Sequence, residues 1–217
     1  MQTQSIVRIA APFVFTAVAA GCQTAYYNTM EKLGWDKRDI LVDRVEEARD
    51  AQEAAKEQFR SALEEFQAVV AVDGGELERK YDKLSTEFKR SEAKATAVTE
   101  RIDSVESVGN ALFKEWENEL EQYSNDELRR SSQRKLVDTR ARYNDLVGAM
   151  RRAEAKIAPV LDSFRDQVLY LKHNLNARAI ASLRTELASV ENETEALIRA
   201  MESSIAEADE FIRTMAQ

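Results

Sequence analysis

Residues 77–123 read LERKYDKLSTEFKRSEAKATAVTERIDSVESVGNALFKEWENELEQY. Leu77, Tyr81, Leu84, Phe88, Ser91, Ala95, Val98, Ile102, Val105, Gly109, Leu112 and Trp116 follow one another in steps of three and four, and Tyr123 lies one heptad further on. A half-buried strand alternates every second residue, whereas this spacing returns to one face of a 3.6-residue helix. The stretch therefore predicts a single long helix with a narrow small-to-apolar stripe and charged flanks. Such a helix cannot bury its stripe alone and must pack against partners of similar length.

The same spacing continues on both sides. Upstream, Leu41, Val45, Ala48, Gln52, Ala55, Phe59, Ala62, Phe66 and Val69 form a second register, which stops at the turn residues Asp73-Gly74-Gly75. Downstream, Ser124-Asn125-Asp126-Glu127 fits a capping box, with Ser124 as the cap and Glu127 reaching back. A third register follows through Leu136, Tyr143, Val147, Met150, Ile157, Leu161, Phe164, Val168, Leu171 and Leu175. Pro159 lies inside it and removes one backbone donor, which predicts a bend near Ala155–Pro159 within one helix. The fourth register runs from Leu183 to Met215, and the phase shift at His173-Asn174-Leu175-Asn176 marks a turn or a stutter. The expected helices span about 36–72, 76–123, 126–173 and 177–216. At about 1.5 Å per residue they would run roughly 55 to 70 Å. Short connections place neighbours antiparallel, so the expected fold is all-α, an elongated bundle of coiled-coil hairpins.

Composition agrees with this. Only 6 Gly and 2 Pro occur in 217 residues, too few to punctuate a many-stranded sheet, and charged residues make up 32%. The net charge of −8 disfavours non-specific nucleic-acid binding, so no nucleic-acid partner is expected.

The chain opens differently. Residues 9–20, IAAPFVFTAVAA, form an apolar run of twelve after Arg8, shorter than the roughly 20 residues needed to cross a bilayer. A short apolar core that ends in small residues has the form of an export signal, here 1–21. Ala19, Ala20 and Gly21 lead to Cys22, the only cysteine, and resemble the bacterial signal in which that thiol receives a diacylglyceryl group. The usual pattern has Leu three residues before the cysteine, where this chain has Ala19. Cleavage before Gly21 without lipid and an uncleaved anchor are the competing readings. With Cys22 as the lipidation site, 22–35 becomes a tether and 36–217 the helical domain. Two or more acyl chains give stable anchoring where one does not. By resemblance to lipoprotein sorting, Gln23 directs the chain to the outer membrane, facing the periplasm.

Little in the helical part suggests chemistry. Residues 129–156 hold nine basic side chains (Arg129, Arg130, Arg134, Lys135, Arg140, Arg142, Arg151, Arg152, Lys156) against three acids. Residues 100–127 hold nine acids against Arg101 and Lys114. A hairpin lays these stretches side by side, so pairing within the chain is the expected explanation. His173 is the only histidine, too few for a di-iron bundle site, and no GxxxxGK[ST] spacing occurs. No catalytic, cofactor-binding or metal-binding residue is expected, and no enzyme. Trp35 and Trp116 read as packing residues, and Tyr26 and Tyr27 as interfacial or tether residues.

The segments CQTAYY (22–27), EKLGWDKRDILVDRVEEARDAQEAAKEQF (31–59) and FRDQVLYLKHNLNARAIASL (164–183) together resemble a proteobacterial lipoprotein family classed as a domain of unknown function. The likeness spans Cys22 to about Arg213 and implies a helical envelope protein, without implying any activity. The expected role is a lipid-anchored scaffold or adaptor whose partners are the membrane and an envelope protein. A periplasmic binding or chaperone-like module that holds an unfolded chain or apolar ligand is the alternative. The heptads can be satisfied within one chain or shared between copies, which leaves a homo-oligomer open.

Overall fold

A computed structural model describes residues 36–71 and 77–215. The turn residues Asp73-Gly74-Gly75 lie outside this range, as do the expected signal 1–21, Cys22, the tether and Trp35. Five α-helices follow in chain order: α1 (Lys37–Val70), α2 (Leu77–Leu120), α3 (Asp126–Glu154), α4 (Ile157–His173) and α5 (Ala177–Met215). No strand occurs among the described residues, and the fold is the all-α bundle that the registers predict.

Cross-helix pairs set the arrangement. Arg101 on α2 meets Glu47 on α1 at 2.7 Å, while Gln58 meets Glu87 at 2.6 Å, so these helices run antiparallel. Arg140 and Arg151 on α3 reach back to Glu117 and Asp103 on α2. Ser163 on α4 donates to Glu193 on α5 at 2.5 Å. The ring closes where Arg49 meets Asp209 at 3.1 Å and Gln67 meets Glu191 at 2.7 Å, joining α1 to α5. The result is an up-down-up-down bundle in which α3 and α4 together form the third arm. Phe66 on α1 and Phe164 on α4 meet edge to face across the diagonal, with centroids 6.3 Å apart.

The third arm differs from the expected single bent helix over 126–173. It is two helices separated by Ala155 and Lys156, both in right-handed helical backbone conformation. Pro159 is the cause, because it offers no N–H to the carbonyl of Ala155 and its ring crowds that carbonyl. The Lys156 amide meanwhile tightens to Ala153 O at 3.1 Å. The capping box is also corrected. Asn125, in extended conformation, caps α3, and its Oδ1 accepts from the amides of Glu127 (2.9 Å) and Leu128 (3.1 Å). One Asx side chain thus satisfies two first-turn donors, where the expected box would have paired Ser124 Oγ with the Glu127 amide and the Glu127 carboxylate with the Ser124 amide. Asn176 repeats the device at α5, accepting from Arg178 N and Ala179 N.

The core is a narrow seam of the predicted stripe residues. Phe59, Phe66, Phe164, Ile102, Leu146, Met150 and Leu197 are fully buried. Each such side chain contributes roughly 1.5–3 kcal/mol by leaving water. Gly109 has a particular role there. A Cβ at this position would lie 2.4 Å from the Tyr143 ring, so the ring of α3 packs directly on the α2 backbone. Gln52 on α1 and Thr194 and Ser204 on α5 are also fully buried, and their side-chain polar atoms have no hydrogen-bond partner among the described residues.

Candidate interaction surface

The stretch from Glu100 to Lys156 holds the strongest charge contrast in the sequence, and the structure splits it into two parts. In the bundle body, Arg151 is the centre of a dense cluster. Its Nε and Nη2 hold Glu106 at 3.0 and 2.8 Å, Nη2 also meets Asp103 at 2.6 Å, and Nη1 meets Glu154 at 2.7 Å. The forked contact with Glu106, with the other two carboxylates beside it, raises the Arg151 pKa. Next to it, burial pushes the Tyr143 phenol up to about 12, with the Glu106 charge adding to the shift. One turn further on, Arg140 binds Glu117 at 2.6 Å and covers the Phe113 ring at 5.0 Å. Its hydrogen bond holds the Glu117 carboxyl below the usual carboxylate range.

Past this point the pairing across helices stops. α1 begins at Lys37, which meets Glu115 on α2 at 3.0 Å, and α5 ends at Met215, whose carbonyl accepts from Arg38. The α2–α3 hairpin continues beyond both ends. Residues 121–130 are all exposed, and Leu136 is the first buried residue of α3. Among the described residues this leaves an arm uncovered by α1 and α5, about ten residues of α3 or roughly 15 Å of helix. Trp116 anchors its base by donating to Ser132 at 2.8 Å.

The arm carries two sets of charges. Arg130, Arg134 and Lys135 on α3 have no ion-pair partner among the described residues, and neither do the side chains of Glu119, Glu121 and Glu127. Only Arg129 is paired there, locally, with Asp126 at 2.8 Å. Tyr123, Leu128 and Val137 are exposed by 40, 56 and 59%. Arg130, Gln133, Arg134, Val137 and Asp138 wall an open groove of about 300 Å³. Among the described residues the exposed large apolar side chains therefore lie toward the two ends of the bundle, because the other three, Leu169, Tyr170 and Leu175, flank the α4–α5 turn.

The expected pairing with the acids of 100–127 thus holds for Arg140 and Arg151 and fails both for the arm and for Arg142, Arg152 and Lys156, which make no ion pair among the described residues. Of the remaining singled-out residues, His173 is exposed at the end of α4, and Trp116 is half-buried. Among the described residues no group of three His, Cys, Asp or Glu is arranged to hold a metal ion, and no helix is long and apolar enough to cross a membrane. A second groove, of about 370 Å³, opens between α2 and the Pro159 break, lined by residues including Glu92, Thr96, Thr99, Glu154 and Ile157. Of its polar groups, Thr96 is bonded to Glu92 O, Glu154 to Arg151, and the Glu92 carboxylate is paired with Arg165.

Compared with family models, residues 26–215 match the one described as "Protein of unknown function (DUF2959)". The chain belongs to the DUF2959 family. The match covers the whole described bundle, from α1 to the end of α5, including the free arm. No curated protein matches the chain. Membership in DUF2959 brings a fold-length boundary and no residue roles, so the site rests on the geometry above. One sequence signal for the arm exists, because the expected first helix, 36–72, is shorter than the second, 76–123, and so leaves part of the second uncovered.

Proposed function

We propose that this DUF2959 protein is a lipid-anchored helical scaffold or adaptor of the bacterial envelope, held at the outer membrane through Cys22 and facing the periplasm. The observation that carries the reading is the sequence AVAAGC (17–22), an apolar export-type segment that delivers small residues to a single cysteine. The bundle supports it in a second way. Its middle buries a continuous seam, while the exposed large apolar side chains among the described residues lie toward its ends, as expected of a spacer that engages partners at its tips. Metabolic labelling with a radioactive or clickable fatty acid, compared between wild type and Cys22→Ala, tests the anchor. Label in the wild type that is lost in the variant is expected. Equal label in both, or none in either, overturns the anchor.

A further inference from the structure

We infer that α5 is exchanged between two copies of this chain. The turn at Asn174–Asn176 straightens, α4 and α5 become one helix, and each α5 takes the place of its counterpart in the other bundle. This goes beyond the scaffold proposed above and does not depend on the anchor.

The turn carries the first observation. From Val160 to Gln217 the chain holds neither glycine nor proline, so no strong breaker separates α4 from α5. Two asparagine side chains make the turn instead. Asn174 Nδ2 donates to Tyr170 O at 3.0 Å, the acceptor that the Asn174 amide would use in a continuous helix. That amide turns to Leu171 O at 3.1 Å. Asn176 Oδ1 accepts from the amides of Arg178 and Ala179, which in a continuous helix would donate to the carbonyls of Asn174 and Leu175. Each side-chain bond of the turn therefore has a backbone replacement in the straight form. Leu175 is the residue that the turn leaves over. It lies one step of four beyond the buried α4 stripe of Phe164, Val168 and Leu171, and the buried Ala179 and Leu183 follow at further steps of four. Leu175 itself is 42% exposed. Straightening joins the two stripes through Leu175 as a stutter.

The second observation is the seam that α5 must leave. α5 is the last helix, and no connection ties it to α1. Thr194 and Ser204 on α5 and Gln52 on α1 are fully buried, and their side-chain polar atoms have no hydrogen-bond partner among the described residues. Each gains water when α5 departs, which offsets part of the apolar surface exposed. The α2–α3 hairpin has no such weakness, because the Gly109–Tyr143 contact and the Arg151 fork hold it. The unit that exchanges is therefore α5.

Identity selects the occupant. The vacated space presents Arg49 and Gln67 of α1, Tyr143 of α3 and Ser163 of α4. The α5 of a second copy restores Asp209, Glu191, Phe211 and Glu193 to them, so the exchange needs no new surface. Two copies joined in this way lie end to end, with the two straightened junctions antiparallel at the two-fold axis.

Cross-linking of the full chain carrying Cys22→Ser, in a non-ionic detergent, tests this. One chain carries Gln67→Cys, and a second, tagged to differ in size, carries Glu191→Cys. After joint incubation a short bis-maleimide is added. These two side chains meet within one closed bundle at 2.7 Å, so only an exchanged α5 joins the two chains. Glu47→Cys and Arg101→Cys, which meet between α1 and α2, form the control pair in separate chains. Inter-chain product is expected from the first pair, rising with protein concentration, and not from the control. N174A/N176A removes the side-chain bonds of the turn and should raise the dimer association constant in sedimentation equilibrium at least about tenfold. L175G should lower it by about the same factor, because glycine disfavours the continuous helix in both copies. Circular dichroism checks that both variants keep the wild-type helix content. No inter-chain product from the first pair overturns the inference, as does equal product from the control pair. A dimer constant that N174A/N176A and L175G leave unchanged overturns it as well.

Discussion

The same two helices behave differently along their length. Around Arg151, α3 arginines and α2 carboxylates lock together at 2.6–3.0 Å. In the arm, Arg130, Arg134 and Lys135 make no ion pair among the described residues, and neither do Glu119 and Glu121. Composition is alike in the two regions, so charge content does not decide the outcome. The difference is the seam beneath. At Arg151 the Gly109–Tyr143 contact and the buried Leu146 and Met150 fix the interhelix distance, which lets a forked guanidinium find its carboxylates at low entropic cost. Residues 121–135 hold no buried side chain to set that distance, and solvated charges on long side chains gain little by pairing. Packing permits such pairs without guaranteeing them, since Arg142 and Arg152 on the same stretch of α3 make none among the described residues.

The comparison can be broken most severely from the core side. Phe164→Ala removes a fully buried ring that reaches across the diagonal to Phe66 and should cost about 3–5 kcal/mol in denaturant unfolding. Leu128→Ala in the arm should stay within about 0.5 kcal/mol of wild type. A large loss from Leu128→Ala would show that the arm has a core of its own.

Gly109→Ala comes next. The added methyl meets the Tyr143 ring, which the seam holds in place, and should cost about 1–3 kcal/mol. In a Tyr143→Leu background the same change should cost clearly less, a non-additivity that a double-mutant cycle would measure. Strict additivity would show that the close approach is not the source of the cost.

Alkaline pH sharpens the picture further. An unfolded tyrosine ionises near 10, and Tyr143 in the fold near 12, so between these values the folded chain binds more protons than the unfolded chain. Stability is therefore full below about pH 10 and falls as pH rises through 12, by up to roughly 2 kcal/mol from this group. Tyr143→Phe should flatten that part of the pH profile, and an unchanged slope would place its origin elsewhere. The smallest effect compares two arginines. Arg151→Met should cost on the order of 1 kcal/mol by stranding three carboxylates, and Arg134→Met less than about 0.5 kcal/mol.

Much of the bundle was legible because its stripes are long. From Leu84 to Leu112 each core step in the sequence is buried in the structure, with Gly109 filling the one position where a side chain would collide. Pro159 announced a disturbance but not its form, since a proline dictates a lost hydrogen bond and leaves neighbours to decide between a bend and a break. The cap moved by one residue because Ser124 and Asn125 are both competent caps, and backbone conformation chooses between them. The arm was the least legible part. Charge counts over 100–127 and 129–156 pointed to mutual pairing, but a linear count cannot show where α1 and α5 end. Only the unequal helix lengths, 34 residues for α1 against 44 for α2, carry that information.

The ring closure between α1 and α5 has a consequence for local unfolding. These are the first and last helices of the bundle, so no loop joins them at either end, whereas the other neighbours are joined by short connections. All the partnerless buried side-chain atoms found among the described residues, those of Gln52, Glu65, Thr194 and Ser204, lie on this pair. A buried polar atom without a partner gains water when a seam opens, which lowers the free energy of opening there. In native-state hydrogen exchange, α5 should therefore lose protection as one unit before α2 does, and Gln52→Leu should delay it. The molecule's slowest clock would then be set by the α2–α3 side, and its fastest by the helix that arrives last in the chain.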